Sequence, residues 1–142
     1  MYKNILLPID LNSIETQETA VGMAVQLAKT FGAKLHVMAV VPNFGVGVVS
    51  TFFPEDYEQK VMTAAEAELQ DFLRQRMPEG IEVDHAVANG TIYKEVLDFA
   101  GQIKADLIVM ASHRPELKDY LIGPNAARVV RHADCSVLVV RD

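Results

Sequence analysis

Residues 105–132 read ADLIVMASHRPELKDYLIGPNAARVVRH, and this stretch decides the fold. Ala105 to Met110 is an apolar run of strand length that stops at the polar Ser112-His113-Arg114-Pro115. Gly123-Pro124-Asn125 then opens a helix over Asn125 to His132, because proline suits the first helical position and lacks a donor that would go unused there. Strand, polar loop and helix start make a common anion-binding arrangement, since unpaired N–H groups and the helix dipole point out of the start. Read as a bland corner, the same residues need only Asn125 near the cap.

Working outward, Ser136 to Val140 (SVLVV) is the next strand, so the helix links two neighbouring strands. Upstream the same alternation repeats. Lys3 to Ile9 is a short apolar strand, and Ala20, Met23, Ala24, Leu27, Ala28 and Phe31 recur at helical spacing from Ser13 to Phe31, with Gly32 as the stop. Lys34 to Val41 is a second strand, Glu55 to Met77 a second helix, and Ile81 to Ala88 a third strand of alternating character. Thr91 to Gln102 is a third helix with Ile92, Val96, Leu97 and Ala100 facing inward, followed by the strand Asp106 to Ala111. Five strands separated by helices predict right-handed crossovers and an α/β fold: a five-stranded parallel sheet, order 3-2-1-4-5, with helices on both faces. Residues 1–142 are expected to form a single domain.

Ligands bind outside the strand C-termini where the strand order reverses, here between strands 1 and 4. Pro8, Ile9 and Asp10 stand on one side of that crevice, and Met110, Ala111, Ser112 and His113 on the other. Val40 and Val41, ending strand 2, would flank a flat ring or else belong to the core. Asp10 would either accept a hydrogen bond from a ligand or cap the first helix with Asn12 and Ser13. Gly123 lets a ligand approach the backbone, Asn125 and Ala126 bring N–H groups, and Pro124 brings none. Arg114 carries a fork of donors that suits phosphate oxygens.

The composition excludes several classes. Half of the residues are hydrophobic and 23% are charged, so the chain is globular rather than disordered. The net charge of −6 argues against nucleic acid and anionic membranes as partners. No apolar run is long enough to span a bilayer, and MYKNILLPID reads as a strand rather than a leader. Cys135 is the single cysteine, which fits a reducing, cytoplasmic setting. Ser112 and His113 are neighbours on a strand end and point to opposite sides, so they make a poor nucleophile–base pair, and no G-x-S-x-G elbow surrounds the serine. His36, His85 and His132 show no metal-ligand spacing. Strand 3 ends in Ala86-Val87-Ala88-Asn89 without a phospho-acceptor aspartate, and Gly45-Val46-Gly47 is too lone for a dinucleotide fingerprint.

The strand ending Leu7-Pro8-Ile9-Asp10 and the segment IVMASHRPELKDYLIGPNAARVVRHADCSVLVVR resemble the universal stress proteins over nearly the whole chain. In that family the comparable loop usually reads G-x2-G-x9-G-[S/T] and wraps the ribose and phosphates of ATP. Here Ala111 and Arg114 stand where the two early glycines would be, eight residues separate Arg114 from Gly123, and Pro124 replaces the hydroxyl residue. The ASHRP-type loop resembles a subgroup of shorter members that includes nucleotide binders. The resemblance implies a stress-response regulator binding ATP, or AMP or ADP, with Mg as an accompanying ion, in the crevice between strands 1 and 4. It also implies a homodimer, open to higher assembly, built on strand 5 (Val137, Leu138, Val139, Val140). That apolar edge would otherwise invite promiscuous pairing. Two alternatives remain at this level: a dimeric scaffold that binds no nucleotide, and a very slow ATPase, for which Asp10 and His113 are the sole groups to hand. Pro42 to Pro54 (PNFGVGVVSTFFP) is uncharged and apolar, and is expected to fold over the nucleotide or to be covered by another subunit.

Overall fold

The computed structural model describes residues 1–42, 56–112 and 123–141. Strands β1 (Asn4–Ile9), β2 (Lys34–Pro42), β3 (Val83–Gly90), β4 (Leu107–Ser112) and β5 (Ser136–Arg141) alternate with helices α1 (Glu18–Phe31), α2 (Tyr57–Arg76), α3 (Ile92–Ile103) and α4 (Pro124–His132). The strands form one sheet in the order β3-β2-β1-β4-β5, and every neighbouring pair is parallel. The predicted order is therefore observed, with β3 and β5 at the edges.

The period-two alternation of the strands builds two cores, one on each face. Ile5, Leu7 and Ile9 of β1, Leu35, Val37 and Ala39 of β2, and Leu107 and Val109 of β4 pack with Val21, Ala24 and Ala28 of α1 and Leu69 and Phe72 of α2. On the opposite face Leu6, Met38, Ile108 and Met110 pack with Val96 and Ala100 of α3 and Ala126 and Val129 of α4. β1, β2 and β4 are buried on both sides, which is why they read as continuous apolar runs.

Most boundaries shift by one or two residues from the sequence reading, and two elements differ for a physical reason. The first helix does not start at Ser13: Ile14–Thr16 forms a single 3-10 turn, and the α-helix begins at Glu18. α1 ends as expected at Gly32, whose φ of 62° closes the last turn in the left-handed region. The third strand runs Val83–Gly90 rather than 81–88, because its pairing with β2 extends to Pro42↔Gly90. Cross-strand bonds, not the strand's own alternation, set its end.

Candidate functional site

β1 and β4 are registered only at Ile5↔Leu107 and Leu6↔Ile108, although β1 runs on to Ile9 and β4 to Ser112. Their C-terminal ends therefore part, while β1 stays paired to β2 as far as Ile9↔Ala39 and β4 to β5 as far as Ser112↔Arg141. A cavity of about 440 Å³ opens at this divergence. It is the crevice that the strand order predicts.

One wall is the end of β1 and the turn after it, with Pro8, Ile9, Asp10, Asn12 and Gln17. The Asp10 carboxylate accepts the Asn12 N–H through Oδ1 at 2.9 Å, so it caps its own turn and bonds no N–H of α1. The Asp10 N–H donates to Gln17 Oε1 at 2.8 Å, and Gln17 Nε2 donates to the carbonyls of Asp10 and Ser13, each at 2.8 Å. Gln17 is 6% exposed.

The facing wall combines Met110, Ala111 and Ser112 of β4 with Gly123, Pro124, Asn125 and Ala126 at the start of α4. The buried Ser112 hydroxyl accepts the Gly123 N–H at 3.3 Å, tying the helix start to the strand end. Among the described residues no side chain caps α4. Pro124 has no N–H and Ala127 donates to the Gly123 carbonyl at 2.8 Å, so among the described residues the Asn125 and Ala126 N–H groups are left for a ligand. Such a donor pair at the positive end of a nine-residue helix suits an anion. Val40 and Ile92 line the remaining side.

Of the residues expected at the crevice, Pro8, Ile9, Asp10, Val40, Met110, Ala111, Ser112, Gly123, Pro124, Asn125 and Ala126 are brought together here. Val41 is buried but does not line the cavity, since it points to the opposite face of the sheet from Val40. His113 and Arg114 lie outside the described residues, as does nearly all of the apolar 42–54 segment. Asn12, Gln17 and Ile92 were not singled out as ligand-facing by sequence. Gln17 did carry a signal, sitting three and four residues before Ala20 and Val21 on the buried face of α1.

The other titratable groups stand apart. His36 is 6% exposed beside Asn4 Oδ1 at 3.2 Å and edge-on to Phe99, and burial followed by the Lys34 ammonium holds its pKa below the ordinary value. His85 pairs with Glu66 at 2.6 Å on the surface. Burial and the carboxylates of Asp106 and Asp134 push the Cys135 thiol up, away from the reactive thiolate. Among the described residues no cluster of His, Cys, Asp and Glu could hold a metal ion, and no helix is long and apolar enough to cross a membrane.

The family model for the universal stress protein family matches residues 1–141. The chain belongs to the universal stress protein family. Universal stress protein G of Escherichia coli O157:H7 is 32% identical over 143 residues, 99% of this chain and 100% of that protein. Among solved structures, universal stress protein UspA from Lactobacillus plantarum superposes with a TM-score of 0.78 at 26% identity, covering 99% of this chain and 98% of the other. Two universal stress proteins that share the fold at lower identity were solved with ligands. One is a complex with cAMP (19% identical, TM-score 0.63, covering 98% and 97% of the two chains), and one, from Archaeoglobus fulgidus, a complex with dAMP (18%, 0.60, 97% and 97%). In this universal stress protein the ends of β1 and β4 form the cavity.

Proposed function

We propose that this universal stress protein is a cytoplasmic regulator that binds an adenine nucleotide, ATP foremost and with Mg as its companion ion, between β1 and β4. The observation that carries the reading is the pair of N–H groups on Asn125 and Ala126, which have no partner among the described residues where α4 opens onto the cavity. Phosphate oxygens supply the acceptors these donors lack, each such charge-assisted bond contributing about 1.5–3 kcal/mol. Arg114, which lies outside the described residues between β4 and α4, would supply a forked cation that offsets the donor lost at Pro124. The nucleoside lies against Pro8, Ile9, Asp10 and Val40, with Met110 and Ala111 beneath it. The family members solved with cAMP and dAMP support an adenine ligand.

Binding rather than turnover is the reading the lining favours. Asp10 is the one ionisable side chain among the described lining residues, and one of its oxygens is engaged by Asn12. The unpaired outer edge of β5, whose Val137, Leu138 and Val139 are only half-buried, is the surface through which we expect two copies to meet.

Mass spectrometry of small molecules released from freshly purified protein, with calorimetry against ATP, ADP, AMP and adenosine, tests the reading. A co-purified adenine nucleotide, and tighter binding of ATP than of adenosine, are expected. No released nucleotide and no heat with any of the four would refute it and leave the dimeric scaffold.

A further inference from the structure

We infer that Gln17, which no motif marks, is a positioning residue that sets the hydrogen-bonding sense of the Asp10–Gln17 face of the β1 wall, so that a ligand meets this face with hydroxyl or amino donors. The ligand half of this inference rests on the nucleotide reading above; the wall half rests on hydrogen bonds alone.

Three backbone donors of the turn after β1, those of Asp10, Asn12 and Ser13, are consumed internally. Asp10 N–H goes to Gln17 Oε1, Asn12 N–H to Asp10 Oδ1, and Ser13 N–H to the Asp10 carbonyl at 3.2 Å. Both amide hydrogens of Gln17 go to the carbonyls of Asp10 and Ser13. Pro8 has no N–H to give. The exposed side-chain amide of Asn12, which also lines the cavity, keeps a donor beside this face. Asp10 and Gln17 both line the cavity, and each keeps an acceptor to offer it: the second Asp10 carboxylate oxygen and the second lone pair of Gln17 Oε1. Phosphate is repelled by such a wall and drawn to the N–H groups of α4 across the cavity. The two walls together give the ligand a direction.

Only an amide satisfies this turn. Flipping Gln17 would set its oxygen against two carbonyls and its NH2 against an N–H, so the partners fix its orientation. Its burial denies water access to replace the three bonds. A carboxylate there keeps one acceptor, loses both donors and faces two carbonyl oxygens. A methionine keeps the bulk and loses all three bonds.

Two variants, Gln17→Met and Gln17→Glu, test this in the full chain by NMR amide exchange at Asp10 and by calorimetry with adenosine. In Gln17→Met, exchange at the Asp10 N–H should accelerate about tenfold or more, and adenosine affinity should fall by a similar factor. In Gln17→Glu, the introduced carboxyl should titrate above the ordinary glutamate value of about 4.3, because its neutral form donates to a carbonyl. Adenosine affinity relative to the native chain at the same pH should then recover on acidification, as it should not in Gln17→Met. Far-UV dichroism at each pH separates this recovery from refolding, which protonation of a buried carboxylate would also promote. Native-like Asp10 exchange in Gln17→Met overturns the inference whether or not a nucleotide binds. Unchanged adenosine affinity in both variants overturns it while leaving the nucleotide reading intact. Should the native chain bind no nucleotide, that reading falls and Asp10 exchange decides the wall by itself.

Discussion

Gly123→Ala separates stability from ligand binding at the start of α4. Gly123 sits at φ −60° and ψ 163°, a conformation any L-residue adopts, and an added Cβ meets nothing within 4 Å among the described residues. The folded state should therefore accept alanine without backbone strain; the freedom lost from the unfolded chain, about 0.4–1 kcal/mol, is offset by alanine's poorer service as the N-cap of α4, a cost of similar size. For a chain of this size the melting temperature should therefore stay within roughly 2–4 °C of the native value. The same methyl stands in open space at the rim of the cavity, beside the Asn125 and Ala126 N–H groups. If phosphate is held there, the methyl should displace it from at least one charge-assisted hydrogen bond of about 1.5–3 kcal/mol, a fall of about tenfold to 100-fold in ATP affinity. Adenosine, which has no phosphate, should bind as before. Thermal melting with calorimetry on one preparation reads both effects. Unchanged ATP affinity in a variant that melts within this range would show that phosphate does not approach α4, and the phosphate assignment would be wrong.

Asp10→Ala should weaken adenosine and ATP by similar factors while costing at most about 1 kcal/mol of stability, since its carboxylate supports only the exposed Asn12 N–H; unchanged affinity with a lower melting temperature would return Asp10 to a purely structural role. His36 binds its proton less readily folded than unfolded, because burial and Lys34 outweigh the carboxylates of Asp84 and Glu82. The folded state thus holds fewer protons below pH of about 6.5, and stability should decline as pH falls through that value and onward. Denaturant melts from pH 7.5 to 5 should show this decline in the native chain and a flatter profile in His36→Gln; equal slopes would acquit His36. Light scattering should find the native chain a dimer, and either Leu138→Pro or Val139→Pro a folded monomer, because one of those N–H groups points away from β4. A native chain that stays monomeric at high concentration would remove β5 as the interface.

The order of the sheet was legible because β1, β2 and β4 are buried on both faces and read as unbroken apolar runs, while β3 alternates as an edge strand should. From that order the crevice followed, and with it the two strand ends and the glycine-led helix that line it. What stayed hidden depends on side chains acting as backbone. A glutamine between Thr16 and Glu18 looks like an ordinary polar helix residue, and nothing local says that its amide will fold back to hold the Asp10 turn. For the same reason Ser13 to Gln17 was read as helix rather than as a 3-10 turn. Val40 and Val41 are alike in sequence, and only the pleat, set by pairing with β1 and β3, decides which one meets the cavity.

The parting of β1 from β4 above Leu6 and Ile108 has an architectural consequence. Both side chains are fully buried, so the aperture of the crevice is framed from below by the core under α3 and α4. Loops at the rim can change composition without altering how far the strand ends stand apart. A change of volume at Leu6 or Ile108, by contrast, would alter that spacing from a depth no solute reaches. In this fold the threshold of the crevice belongs to the foundations.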